Sequence, residues 1–563
     1  MNFANEVLTR LASLGKIKQE EILNIGKVVE SQKVDLMQYL ISSNVCDMRE
    51  FYAINADLCH IPFVELGLLD IDKKLLEDYS LPFLKKHKIL PIFKDNSGVM
   101  VVAIANYFDA YSISTLSTLF ESEVQFVLVM PKDIDNFIDS IVAVKTTENA
   151  LNDLEKEKKG KEVRREDEEE ADEQVDDVTN APAVRLVDSF IKEAIPFRAS
   201  DIHVEPYESE VKVRYRIDGD LTDRVTFPIV SYPAVCARLK IIAGMDIAER
   251  RVPQDGRINM VINGVEYDFR VSTLPTVHGE KFVIRVLDKS SFNFDRCDLH
   301  FSERDNALID AILSHPHGLI LLTGPTGCGK STTLYSFLKE LNKPNVNIVT
   351  VEDPVEYTMV GVNQTQVNVK ANMTFATALR SILRQDPDII MVGEIRDEET
   401  AQIAIRAGIT GHLVLSTLHT NNAPGAVARL VDMGIEPYFV SDALVAVISQ
   451  RLVKRLCPAC KRRVLLNDDQ MRALGIEGEH YAYEAVGCPY CNHTGFRGRV
   501  AVHEIMMMND RVRVALSSGH ADAESLRKIA CQCGMVPLAD AGKQYLLDGL
   551  TSFEEIMKII VGD

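Results

Sequence analysis

No apolar run in this 563-residue chain approaches the roughly 18 residues that a membrane span needs, so no transmembrane helix is expected. The N-terminus lacks a basic segment followed by a long apolar one, so no secretory signal is expected either. Cysteine is scarce, with 11 residues partly arranged in C-x-x-C pairs. That argues against a disulfide framework and for a reducing cytosol with thiols and metal. Positive charge is in deficit: 62 Lys and Arg face 82 Asp and Glu, for a net charge of −20 and a pI of about 5.2. This balance argues against broad nucleic-acid binding. Much of the excess is local, since residues 146–180 carry 14 acidic and 6 basic side chains. No internal repeat is evident.

What is present centres on Gly324-Pro325-Thr326-Gly327-Cys328-Gly329-Lys330-Ser331, a fit to G-x-x-x-x-G-K-[ST]. Leu319–Leu322 precedes it as a short buried strand. Leu334, Phe337, Leu338 and Leu341 follow at the spacing of a packed helix. A strand, a glycine turn and a helix aim backbone N–H groups and a helix N-terminus at one point, which suits phosphate. Lys330 can reach the outer phosphates and Ser331 can ligate Mg²⁺, with Thr332 beside it.

The rest of the chain divides around this motif. Residues 1–145 read as an N-terminal α/β domain: helical spacing to about residue 60, strands at Ile89–Phe93, Val99–Ala105 and Val124–Met130, and helices at Asp109–Phe120 and Asp133–Val142. Residues 146–180, charged and without aromatics, read as an acidic flexible linker. A second α/β unit spans 181–290, where Val211–Ile217 ending at Asp218-Gly219 is a hairpin signal. The nucleotide core spans 291–456, a cysteine-bearing module 457–500, and a helical region 501–563.

Two further apolar strands end in acids: Ile348–Val351 before Glu352-Asp353, and Ile389–Val392 before Gly393-Glu394. In an open parallel sheet, ligands bind beyond the carboxyl ends of the strands, so these acids can meet at the phosphate loop. Glu394 stands where the second strand of such hydrolases usually offers a metal-holding Asp, and Asp388 lies at the wrong end. Asp201, His203 and Glu205 alternate on one strand face, a spacing that fits a metal site, though a structural role is favoured. Cys457-x-x-Cys460 and Cys488-x-x-Cys491, separated by 27 residues, can present four thiolates to Zn²⁺ in a closed structural site. Lys454, Arg455, Lys461, Arg462 and Arg463 flank them and suit a protein-facing surface better than nucleic acid. Cys328 stands beside Lys330 and a helix N-terminus, a setting that can lower a thiol pKa, though a tolerated small residue is the favoured reading.

Several segments resemble the type II/type IV secretion traffic ATPases, the PilB-like pilus-extension and GspE-like general-secretion motors. They are ASDIHVEP at Ala199–Pro206, RYRIDG at Arg214–Gly219, AERRVPQDGR at Ala248–Arg257, the phosphate loop, VEDPVEY at Val351–Tyr357, RQDPD at Arg384–Asp388, GEIRD at Gly393–Asp397 and GHLVLSTLHTN at Gly411–Asn421. The resemblance implies an α/β fold: a RecA-like P-loop ATPase core, a preceding PAS-like motor lobe, an N-terminal α/β domain and a small tetracysteine zinc module. It also implies ATP and Mg²⁺ as cofactors, Glu352 as the water-activating residue, and Glu394 as a variant Walker B acid near Mg²⁺. His412 and His419 would sense the γ-phosphate, and Arg270 and Arg285 would be offered to nucleotide by the first lobe. Cys328 departs from the Ser usual in this family.

The same resemblance implies a homo-hexamer in the cytoplasm, peripheral to the inner membrane. It would drive pilus extension through an inner-membrane platform protein, with residues 1–145 docking a cytoplasmic pilus or secretion protein. Type II secretion is the alternative of the same family. Some of its N-terminal domains bind cyclic di-GMP through paired Arg-Leu-Gly and Leu-Gly-rich repeats. Here only fragments such as Leu14-Gly15 remain, so that ligand is disfavoured. A nucleic-acid translocase and a scaffold with a dead nucleotide site are the readings from other classes.

Overall fold

The computed structural model describes residues 2–562 apart from 20, 33–35, 44, 67, 68, 70, 96, 97, 106–115, 117, 118, 165–181, 263, 289–294, 492 and 519–521. It divides into two compact units, one holding most of residues 1–287 and the other most of 288–563.

The first unit opens with helices Asn2–Ser13, Glu21–Gln32, Leu36–Ser42 and Met48–Cys59, as the apolar spacing predicts. Asp47 and Glu50 form a capping box that starts the fourth. A three-stranded sheet follows: β1 (Ile89–Lys94), antiparallel to β2 (Met100–Ile104), which runs parallel to β3 (Val124–Leu128). The helix expected at Asp109–Phe120 lies largely outside the described residues.

Helix Pro131–Arg164 then departs from expectation. Residues 146–164, read from sequence as the start of a tether, continue this helix. Thr147 Oγ1 donates to Glu193 Oε2 at 2.9 Å, Arg224 reaches Glu193 Oε1 at 2.9 Å, and Ala150 is buried in the core of the following lobe. The composition misled because Glu and Lys favour a solvated helix as much as a loose tether. Thr147, Ala150 and Leu151 recur at helical spacing within it. Residues 165–180 of the expected linker lie outside the described residues.

The lobe's sheet contains β4 (Ala199–Pro206), β5 (Glu210–Ile217), β6 (Asp220–Pro228), β7 (Gln254–Ile262), β8 (Val265–Thr276) and β9 (Gly279–Asp288), in the order β6-β5-β4-β9-β8-β7. The hairpin signal is realised: Asp218 (φ 49°) and Gly219 (φ 102°) form the two-residue turn between β5 and β6. Helices Pro182–Ala194 and Tyr232–Ala243 bury Phe190 and Leu239 in one core with Tyr215, Phe227, Phe269 and Phe282.

The second unit is built on strands β10 (Gly318–Thr323), β11 (Ile348–Glu352), β12 (Val362–Gln366), β13 (Ile389–Val392), β14 (Leu413–Leu418) and β15 (Leu444–Leu456). Strands β16 (Arg462–Leu465) and β17 (Tyr481–Glu484) form a separate two-stranded sheet, and β18 (Phe496–Met507) returns to the main one. The main order is β12-β11-β13-β14-β10-β15-β18, parallel except for β18, which runs antiparallel to β15. Alternate residues feed two cores: Leu319 and Leu321 of β10 face one, Ile320 and Leu322 the other. Continuous apolar strands are what a sheet covered on both faces requires. The division expected at 500/501 is crossed by β18, whose Val500 and Val502 pair with β15 in the main sheet and pack against Leu538 and Leu546.

Candidate nucleotide site

The glycine loop leaves the carboxyl end of β10, near the centre of the sheet. Gly324 (φ 145°), Gly327 (φ 80°) and Gly329 (φ 91°) hold backbone conformations that side chains resist. Space matters as much: a Cβ on Gly324 would lie 2.4 Å from Gln450 O, and one on Gly329 would lie 2.8 Å from Gln450 Nε2. Gln450, buried on β15, donates to Cys328 O at 2.7 Å and accepts from Thr333 Oγ1 at 2.9 Å. One amide thus ties the loop to its helix. No local pattern in the sequence marks Gln450, because the contact is made 122 residues along the chain.

Helix Lys330–Leu341 starts at the motif lysine, and Ser331 is exposed beside it. Lys330 Nζ, 8% exposed by residue, donates to Gly324 O at 2.7 Å and Pro325 O at 3.1 Å. Burial depresses its pKa; the charges of Cys328 and Glu394 oppose that, and Arg451 adds to it. Lys330 and Glu394 therefore share one electrostatic environment. Cys328 corrects an expectation. It is buried, and burial raises its thiol pKa more than Lys330, nearby backbone N–H groups and Arg451 lower it.

Glu352 ends β11 at 4% exposure. Its carboxylate accepts from Thr350 Oγ1 at 2.6 Å, from Gln364 Nε2 at 3.1 Å and from the Tyr335 hydroxyl. Glu394, two residues past β13, is paired instead with the Arg396 guanidinium (Nη2 at 2.5 Å) and with the His419 ring (Nε2 at 3.3 Å). Because β10, β11, β13 and β14 are parallel, the glycine loop, Glu352, Glu394 and His419 all stand at the carboxyl ends of their strands.

His412 does not. It precedes β14, its Nδ1 donates to Ala407 O at 3.1 Å, and its carbonyl accepts from Gly318 N at the start of β10. A strand separates it from His419, roughly 20 Å at about 3.3 Å per residue. The pair expected from sequence as γ-phosphate sensors is split between the two ends of the sheet.

Arg270 and Arg285 belong to the first unit, on β8 and β9. The Arg285 side chain is 62% exposed and its Nε donates to Asp201 Oδ1 at 3.2 Å. The β4 acids are taken up by cations: Glu205 by Arg214 (Nε, 2.7 Å) and Lys281 (2.7 Å), Asp201 by Arg285. Burial, and then Lys281, lower the pKa of His203. Asp201 and Glu205 thus form an ion-pair network with Arg214, Lys281 and Arg285.

Cys457, Cys460, Cys488 and Cys491 bring their sulfurs within 4.8 Å of one another, with Cys488 and Cys491 at 3.7 Å. Tetrahedral Zn²⁺ with Zn–S of about 2.3 Å sets sulfurs roughly 3.8 Å apart, so the four residues fit that ion. Among the described residues, no helix is long and apolar enough to cross a membrane.

A glycine loop between strand and helix, a buried lysine, and carboxylates after neighbouring parallel strands define a P-loop nucleotide hydrolase. Comparison with known proteins narrows the class. Residues 176–558 match the Type II/IV secretion system protein family, and residues 59–147 match the MshEN domain. The chain is 42% identical over 505 residues to the type IV pilus assembly ATPase PilB of Myxococcus xanthus (strain DK1622), covering 88% of each. It is 46% identical over 390 residues to the type II secretion system protein E of Dickeya dadantii (strain 3937), covering 69% of this chain and 78% of that one. The Legionella pneumophila ATPase DotB shares the fold, with a TM-score of 0.52 at 22% identity over 70% of this chain and 98% of that one. The chain belongs to the type II/IV secretion system protein family.

Proposed function

We propose that this ATP hydrolase powers extension of a type IV pilus. The observation that carries the choice within the family is the reach of the likeness. The match to the pilus assembly ATPase runs over 505 residues, and that to the type II secretion protein over 390. Most of the N-terminal region is therefore shared with the former alignment. Type II secretion remains the alternative.

In the proposed mechanism the backbone N–H groups of Thr326–Thr332 cradle the phosphates and Lys330 turns from the loop carbonyls to the outer phosphates. Ser331 and Glu394 hold the Mg²⁺ shell, Glu352 orients the attacking water, and His419 reports on the terminal phosphate through Glu394. The divalent ion supplies charge compensation when bound. The chain acts as a homo-hexamer in the cytoplasm at the inner membrane, where hydrolysis swings the 181–290 lobe and works a platform protein. Residues 1–145 dock a cytoplasmic component of the machinery. Arg270 and Arg285 complete the site in the assembled ring, which the exposure of Arg285 allows. Full-speed turnover by a monomer with both arginines neutralised would refute that part. Zn²⁺ on the four cysteines braces the module by coupling metal binding to local folding. Metal analysis should find one zinc per chain, lost in Cys457→Ser.

The deciding experiment deletes the protein in its host. Loss of surface pili with normal enzyme secretion supports the proposal; intact pili with loss of a secreted enzyme supports the alternative.

A further inference from the structure

The buried carboxylate of Glu352 is held on both of its oxygens. Three side chains donate to it, from three elements: Tyr335 on the phosphate-loop helix, Thr350 on β11 itself, and Gln364 on β12. Two of these donors are fixed in turn. The Tyr335 hydroxyl accepts from Glu356 N at 3.3 Å, and its ring meets that of Tyr357 edge-on, with centroids 5.9 Å apart. Gln364 donates also to Tyr357 O at 3.0 Å and accepts from Met359 N at 2.7 Å. Burial, and then the Glu352 charge, push the pKa of Tyr335 up, so the hydroxyl keeps its proton and Glu352 is the acceptor.

The geometry points to Tyr335 as a positioning residue that ties the Glu352 carboxylate to the phosphate-loop helix, with Thr350 and Gln364 fixing its other oxygen. This rests on the reading of Glu352 as the group that orients water. Tyr335 lies five residues past Lys330, about 7.5 Å along the helix axis at about 1.5 Å per residue. The helix that receives the phosphates therefore also carries the tether of the acid. A small misplacement of such a group costs rate far more than binding. Two of the donors lie outside β11 and Thr350 inside it, so the cage joins strand, edge and helix into one rigid frame.

The test is steady-state ATP hydrolysis by the full chain. Tyr335→Phe should lower kcat about tenfold while KM for ATP stays within about twofold. Thr350→Val, nearly the same shape without the donor, should lower kcat about threefold with the same split, and stands in if the Phe variant does not fold. In a Glu352→Gln background, Tyr335→Phe should cost nothing more, since the acid it positions is gone. Undiminished kcat in the folded Tyr335→Phe and Thr350→Val chains, or an equal further loss in the Gln background, overturns the proposal. Full turnover by Glu352→Gln alone would instead overturn the reading of Glu352, and the positioning role with it.

Discussion

The two ends of the core sheet carry similar residues and do different things. At the carboxyl end, His419 faces Glu394, Glu352 ends β11, and Lys330 follows the loop that leaves β10, all on the same parallel sheet. At the amino end, His412 spends its ring on Ala407 O, and Asp388 accepts from Asn347 N at 2.7 Å. The first set surrounds a loop that can take phosphate; the second closes turns where strands enter the sheet. The comparison shows that strand direction, more than residue type or motif membership, sorts chemistry from scaffolding.

The largest effect expected from this contrast is at Lys330. Lys330→Ala should cut ATP turnover by at least about 100-fold, because the charge proposed to reach the outer phosphates is lost. A smaller loss, measured by phosphate release on folded protein, would mean the loop is not the working site. The contrast sharpens at the histidines. His419→Ala should slow turnover about tenfold, and His412→Ala by no more than about twofold, with its effect appearing in the melting temperature. Equal kinetic losses would erase the distinction between the ends. The smallest effect concerns a third histidine, on the edge strand and paired in register with Gln450. His503 on β18 is fully buried, stacks on Phe301 with centroids 4.0 Å apart, and has its pKa pushed down to about 3 by burial. Unfolded, it would take a proton near 6.5. Its folded pKa is the lower one, so stability is intact above about pH 6.5 and falls as pH drops from there toward 3. The loss reaches about 1.4 kcal/mol at pH 5.5. His503→Phe should flatten that acid slope in melting curves; an unchanged slope would assign the acid sensitivity elsewhere.

Much of this was legible beforehand because the signals are local. The loop glycines announce backbone angles, the apolar runs ending in Glu352 and Glu394 announce buried parallel strands, and Asp218-Gly219 announces its hairpin. What escaped depends on contacts between distant segments. Gln450 reaches the loop from β15, Gln364 reaches Glu352 from the sheet edge, and nothing in their neighbourhoods marks them. His412 misled because motif membership was taken for proximity. Helix Pro131–Arg164 was hidden by its own charge, since a run rich in Glu and Lys suits a tether as well as a helix docked by Thr147 and Ala150. Cys328 misled in sign, because a neighbouring lysine is visible in sequence and burial is not.

The most direct test of the account is ATP turnover by purified Glu352→Gln chain, measured beside pilus assembly in a host carrying the same change. Turnover at least about 100-fold below the unaltered chain, with folding intact and no surface pili, is the predicted result. Hydrolysis at the unaltered rate, or normal pili on cells whose only copy carries Glu352→Gln, would contradict it.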